Sequence, residues 1–240
     1  MKGFILAAGL GSRLKPWTDH HPKALAPVGG VPMFQRVIEK MFASGISDIT
    51  VNVYHFADQV LDFIKSKGWK INISDERPEL LETGGALLHA EKYLQGEEPI
   101  LVHNADILSN IDLLEIIKYH NLNDTDATLL VSERESTRKL IFSNDMRLRG
   151  WHSLKEDKYR PEGFSLTDND VQLAFSGIYV VSADIFRKMK ENGWNGRFSI
   201  MDYFIETLEE NKFMGYFAPN LNLIDIGKPD SLNRANKMFK

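Results

Sequence analysis

The chain of 240 residues contains no cysteine. Disulfides, thiolate zinc sites and cysteine nucleophiles are thereby excluded. Long apolar runs are also missing, and no stretch approaches the length of a membrane span. The first apolar stretch breaks at Gly9 with no charged segment ahead of it, so no secretory leader is expected. A cytoplasmic protein without a membrane partner is the expectation. Excess charge of one sign is lacking as well. With 29 basic and 33 acidic residues the net charge is -4, which argues against a nucleic-acid surface. Hydrophobic residues make up 43% and charged residues 26%, ordinary for a globular chain long enough to bury one sizeable core.

The N-terminal two dozen residues carry the strongest pattern. Gly3 to Ala8 is a short apolar run that reads as a buried strand. It empties into Gly9-Leu10-Gly11-Ser12-Arg13, with Pro16 and Pro22-Lys23 following. Glycines let backbone approach a ligand with no Cβ in the way. Free N–H groups in such a loop form an anion-binding concavity. Arg13 adds a fork of donors suited to phosphate oxygens, and Lys23 a second cation. A P-loop is excluded because no Gly-Lys-Ser/Thr ending is present. The dinucleotide fingerprint fails at its third glycine, where Leu14 stands, which disfavours an NAD-dependent dehydrogenase.

The run L-A-A-G-x-G-S-R-L-x-P-x-T followed by P-K, from Leu6 to Lys23, resembles the signature of the sugar-1-phosphate nucleotidyltransferases. Four further segments resemble that family in the same order. Leu81-Glu82-Thr83-Gly84-Gly85 looks like its base-reading loop, and Val102-His103-Asn104-Ala105-Asp106 like its metal-carboxylate strand end. Phe175-Ser176-Gly177-Ile178-Tyr179 is similar to its sugar-site strand, and Leu223-Ile224-Asp225-Ile226-Gly227 to its second metal carboxylate. The E-T-G-G and F-S-G-I segments look most like the N-acetylmuramate-1-phosphate uridylyltransferases. Mannose-1-phosphate guanylyltransferases are similar in the N-terminal half, and phosphocholine cytidylyltransferases share the N-terminal signature. Ala105 replaces a common glycine, and Leu223 stands where an aromatic is frequent. A clean E-K-P sugar motif is absent, Lys155-Glu156-Asp157-Lys158 being the nearest match.

The resemblance implies nucleotide contacts from Leu6, Ala7, Ala8, Gly9, Gly11, Ser12, Arg13, Lys23, Glu82, Thr83, Gly84, Gly85 and Asn104. Arg13 and Lys23 would be the catalytic cations, and Asp106 and Asp225 would hold Mg²⁺. Ser176, Gly177 and Glu156 would face the sugar. Substrates would be a nucleoside triphosphate and a sugar-1-phosphate. Read from the residues alone, other roles stay open. Asp106 and Asp225 also fit turn or cap aspartates, the latter before a Gly227-Lys228-Pro229 turn. Thr83 fits a helix cap, and Asn104 either a ribose contact or a cap. His20, His21 and His103 are given no catalytic role, and Trp17, Trp151 and Trp194 are assigned to packing or a lid. A non-catalytic sugar-nucleotide sensor is the alternative of another class. It is disfavoured because both cations and both aspartates are present.

Hydrophobic periodicity predicts strands at Phe4–Ala8, Ile49–Val53, Ile71–Ser74 and Ile100–His103. Helices are predicted over Pro32–Ala43, Ala57–Lys67 and Gly85–Tyr93. This alternation implies an α/β fold: a Rossmann-like mixed, mainly parallel sheet with helices on both faces. Residues 134–170 read as a small antiparallel extension over the sugar side. Val171–Val181 reads as a strand, with helices over Ala183–Lys190, Ser199–Asn211 and Pro229–Met238. One domain over 1–240 is expected, with a nucleotide-binding half (1–132) and a sugar-binding half (133–240). Monomer and small homo-oligomer both fit.

Overall fold

The computed structural model describes residues 1–227 and 229–238. Lys228, and with it the expected turn into Pro229, lies outside the described residues. The first half runs β1 (Lys2–Leu6), a hairpin of β2 (Pro27–Val28) and β3 (Val31–Pro32), α1 (Met33–Ala43), β4 (Asp48–Val53), α2 (Ala57–Ser66) and β5 (Asn72–Asp75). Then come α3 (Glu82–His89), α4 (Glu91–Leu94), β6 (Ile100–Asn104), β7 (Ile107–Ser109) and α5 (Leu113–Asn123). The second half holds β8 (Ala127–Ser132), β9 (Arg138–Phe142), β10 (Leu148–Ser153), β11 (Lys158–Arg160) and β12 (Val171–Val181). It closes with α6 (Ile185–Glu191), α7 (Ile200–Glu206), β13 (Phe213–Phe217), β14 (Leu223–Asp225) and α8 (Pro229–Met238).

Ten strands form one sheet that runs through both halves. Strands β6, β1, β4 and β5 lie side by side and parallel, so their carboxyl ends share one edge. The register sets Asn104, Leu6, Asn52 and Ser74 in a row along that edge. Alternation along each strand divides the core. Phe4 and Val102 face one way, with α3, α6 and α7 packed on them. Ile5, Val51 and Leu101 face the other, beneath α1, α2 and α5. Helix α1 shows the sequence logic: Met33, Phe34, Val37, Ile38 and Met41 recur at helical spacing and are all buried. Gly45, at φ +77°, ends it in the left-handed conformation.

The long strand β12 joins the halves. Its C-terminal part pairs antiparallel with β6 and β8, and its first residues pair with β9. Strands β9, β10 and β11 continue from there as the antiparallel extension. Several elements have no counterpart in the periodicity, among them α5, β7, β11, β13 and the β2–β3 hairpin. In α5 the pattern is blurred because Leu114 and Leu122 are exposed while His120 is buried. The helix expected at Gly85–Tyr93 begins earlier, at Glu82, and breaks at Ala90. The one expected at Ser199–Asn211 ends at Glu206.

Candidate active site

Two adjoining clefts open at the carboxyl edge. The smaller, about 420 Å³, is lined by the loop from Leu6 to Arg13 with Lys23, Asn52, Leu80, Glu82, Thr83, Asn104 and Asp106. The larger, about 1680 Å³, extends over the second half, and Arg13, Glu82 and Gly227 border both.

The glycine loop is held from beneath and open above. Ala7 and Ala8 donate their N–H groups to Asn52 Oδ1 at 2.6 and 3.3 Å. Among the described residues, the N–H groups of Gly9, Leu10 and Gly11 donate to no protein acceptor. Three free amides beside Arg13 suit an anion. Gly11 has φ +62°, and a Cβ there would stand 2.7 Å from Thr18 Cγ2 and 2.8 Å from Lys23 Cβ. The turn therefore needs glycine both for its backbone and for the approach of Lys23. Thr18 closes the loop by donating its hydroxyl to the Gly11 carbonyl at 2.9 Å.

The two aspartates come together through a separate two-stranded ladder. Strand β14 pairs antiparallel with β7, placing Asp225 opposite Ile107, and Ile226 donates its N–H to the Asp106 carbonyl at 3.1 Å. Asp106 makes an ion pair with Lys23. Asp225 Oδ1 accepts the Gly227 N–H at 2.7 Å. A Cβ at Gly227 would stand 2.9 Å from Arg13 Nη2, so the missing side chain admits the guanidinium beside Asp225. Two carboxylates on adjacent strand ends, next to an anion-binding loop, fit Mg²⁺. That ion favours one or two carboxylates completed by substrate phosphates and water. Among the described residues no group of three or more His, Cys, Asp or Glu side chains is arranged for a metal.

In the segment that resembles a base-reading loop, Glu82 sits at φ +61° and pairs with Arg197 at 2.9 Å. Thr83 does not cap its own helix. Its Oγ1 accepts the N–H of Ile200 at 2.9 Å, capping α7 instead. Gly84 and Gly85 are buried, and both N–H groups go to the Phe198 carbonyl at 3.0 and 3.1 Å. The structure does not bring those two glycines to either cleft; their place is in packing α3 against residues 196–200.

In the second half, Phe175 and Trp151 line the larger cleft, and Trp151 also packs against the core. Ser176 is fully buried, with its hydroxyl unpartnered. Gly177, at φ +73°, makes room for Asn104: a Cβ there would stand 2.8 Å from Asn104 Nδ2. Glu156 lies in the exposed turn between β10 and β11 and lines neither cleft. His103 is buried, with its imidazole pushed down to about 4 by burial, and takes no part in either cleft. Periodicity did not single out Asn52 or Glu76. The signal available was an asparagine interrupting the apolar run Ile49-Thr50-Val51-Asn52-Val53.

A sheet edge with ligand groups at its parallel strand ends defines an α/β protein of nucleotide-handling type. The nucleotidyl transferase family profile matches residues 2–240. The N-acetylmuramate alpha-1-phosphate uridylyltransferase of Caulobacter vibrioides is 29% identical over 95% of this chain and 92% of its own. A mannose-1-phosphate guanyltransferase of Yarrowia lipolytica is 32% identical over 58% of this chain, which spans only 39% of that relative. Among solved structures, a putative glucose-1-phosphate thymidylyltransferase from Bacillus anthracis in complex with a sucrose superposes with TM-score 0.80. It is 23% identical, over 100% of this chain and 95% of its own. HddC from Yersinia pseudotuberculosis complexed with GMP-PN gives TM-score 0.76 at 24% identity, over 100% and 99%. These two likenesses establish the fold. The chain belongs to the nucleotidyl transferase family, and it is an enzyme of the sugar-1-phosphate nucleotidyltransferase class.

Proposed function

We propose that the protein joins UTP to N-acetylmuramate-1-phosphate, forming the UDP-sugar and pyrophosphate with Mg²⁺. The observation that carries the acceptor is the charge of the larger cleft. Arg134, Arg138 and Lys139 line it together with Trp151 and Phe175. Arg160 is already neutralised by Asp202 and Glu206. Arg138 has no ion pair among the described residues; Glu135 stands beside this group, while Glu82 and Asp202, which also line the cleft, pair with Arg197 and Arg160. Burial and the neighbouring Arg134 charge hold the Lys139 ammonium below its usual range. An acceptor with a carboxylate besides its phosphate suits this wall better than a neutral hexose phosphate does. N-acetylmuramate carries such a carboxylate, and the Caulobacter relative, matched along nearly all of both chains, is named for it.

The chemistry is in-line attack by a sugar-phosphate oxygen on the α-phosphorus, with pyrophosphate leaving opposite. Phosphate monoesters have a second pKa near ~6, so the nucleophile needs no general base at neutrality. Catalysis then reduces to positioning and charge neutralisation. Arg13 would take the β- and γ-phosphates as pyrophosphate leaves, beside the free amides of Gly9 to Gly11. Lys23 would serve the α-phosphate and the incoming sugar phosphate. Glu82 and Thr83 would lie beside the base, and Asn104, beneath Gly177, beside ribose or sugar. Asp106 and Asp225 would hold Mg²⁺, which supplies neutralisation of developing phosphate charge. The reading carries with it a cytoplasmic role in cell-wall recycling.

The test is pyrophosphate release with Mg²⁺ over a grid of substrates. UTP, GTP, CTP and dTTP are crossed with N-acetylmuramate-, mannose-, glucose- and N-acetylglucosamine-1-phosphates plus phosphocholine. UTP with N-acetylmuramate-1-phosphate should stand out. Preference for GTP with mannose-1-phosphate would replace this reading, and turnover with no pair would favour a sensor.

A further inference from the structure

Beneath the smaller cleft lies a pair of polar side chains that the chemistry above leaves unused. Asn52, at the end of β4, and Glu76, just past β5, are 3% and 4% exposed. Asn52 Oδ1 accepts from the Ala7 and Ala8 N–H groups, while its Nδ2 donates to Glu76 Oε1 at 2.6 Å. The other Glu76 oxygen accepts the Leu81 N–H at 2.9 Å. One continuous chain of hydrogen bonds therefore runs from the start of the glycine loop to the start of the loop ahead of Glu82 and Thr83. Its polarity is fully specified. Both Glu76 oxygens face N–H donors, as a carboxylate requires, and the amide of Asn52 can point only one way.

We propose that Asn52 and Glu76 are positioning residues that set the spacing and orientation of the two loops between which the nucleotide lies. This rests on the reading of the smaller cleft as the nucleotide site. A nucleoside triphosphate must meet the glycine loop with its phosphates and the Leu81–Thr83 segment with its base. The distance between those loops is thus set by this pair, through Asn52 on the floor of the cleft and Glu76 behind it.

The polarity supplies the experiment. In Asn52→Asp, two carboxylates face each other. In Glu76→Gln, an amide must set a donor against either Asn52 Nδ2 or the Leu81 N–H. The double variant N52D/E76Q restores every bond with one link reversed: the aspartate accepts from the new amide, whose oxygen accepts from Leu81. UTP binding with Mg²⁺ is measured by titration calorimetry, alongside KM and kcat on the preferred acceptor and thermal melting. Each single variant should weaken UTP binding by about tenfold, the cost of one buried hydrogen bond left unmade. The effect should fall on KM(UTP) more than on kcat. The double variant should return to within about threefold of wild type, a coupling that independent sites do not show. If a single variant fails to fold, the double variant decides alone: folded with near-native affinity supports the pair. A double variant that is unfolded, or folded with weak UTP binding, overturns it. Single variants binding as well as wild type overturn it too. Wild-type protein that binds none of the four triphosphates would instead sink the nucleotide reading of the cleft.

Discussion

Arg13 borders both clefts, with Lys23 and Asp106 lining the smaller and Asp225 the larger, yet the four lie on separate segments. Asp106 already neutralises Lys23, so removing its charge costs an ion pair as well as the proposed metal ligand. Asp106→Asn and Asp225→Asn should each lower kcat by about a hundredfold or more with Mg²⁺ present, the scale of a lost charge-stabilising contact. Melting temperature should move by only a few degrees, because both carboxylates keep contact with solvent at the clefts and each asparagine keeps the side-chain shape. Steady-state kinetics and a melt on the same preparations check this; full activity in both variants would remove the metal role. Gly11→Ala should act differently. With φ +62° and neighbours at 2.7 and 2.8 Å, its added methyl must displace Thr18 or the Lys23 stem. Raised KM for the triphosphate and a stability loss of about 1–3 kcal/mol are expected, measured by urea unfolding. At this scale the sequence was informative where function is local. The Gly9–Arg13 loop is contiguous, so its chemistry shows in the string of letters. Asn52 and Glu76 act across 24 positions, and their meaning exists only once β4 and β5 lie side by side.

Among the elements, α3 is the one whose role the letters mislead. Two glycines after Glu82-Thr83 look like a surface for a ligand, whereas they are a contact surface for another segment. A Cβ on Gly84 would stand 2.3 Å from the Phe198 ring, and one on Gly85 2.2 Å from the Gly196 carbonyl oxygen. The Phe198 ring can rotate, but the Gly196 backbone cannot withdraw without moving its loop. Gly85→Ala should therefore cost about 2 kcal/mol or more and Gly84→Ala less, both read from denaturant melts. Equal stability of Gly85→Ala and wild type would contradict this packing. Strand β12 was legible to the residue because its eleven positions are nearly all apolar or small. Its change of partner from β9 to β8 and β6 was not legible, since the shift at Phe175–Tyr179 and the turn at Gly177 depend on which strands arrive beside it.

For the whole molecule, the alternation of strand and helix in the first half sufficed for the architecture. Alternation along each strand then dictated two cores, one on each face. What the pattern could not carry was the addition of β13 alongside β8 and the β7–β14 ladder, both pairings between distant segments. The ladder joins Asp106 to Asp225, so the proposed metal pair was legible as two residues but their being brought together was not. The buried histidines give the fold a pH signature. Burial lowers the imidazoles of His103 and His120 from 6.5 to about 4. The unfolded chain thus binds more protons between about 6.5 and about 4, and stability falls as pH is lowered through that window. Each histidine contributes a slope of up to about 1.4 kcal/mol per pH unit. Glu76 opposes this in part, since burial raises its carboxyl and so favours the folded state as pH falls toward 4.5. Urea unfolding across pH 4.5 to 7 should show the net decline, and a flat profile would contradict the buried neutral imidazoles.

The central claim is a single condensation, and one reaction tests it most directly. UTP and N-acetylmuramate-1-phosphate are incubated with the protein while the UDP-sugar and pyrophosphate are both quantified as Mg²⁺ is titrated. The two products should rise together in equal amounts, with neither formed when the metal is chelated. Pyrophosphate without UDP-sugar, or UTP bound with no product at any Mg²⁺ concentration, would contradict the account.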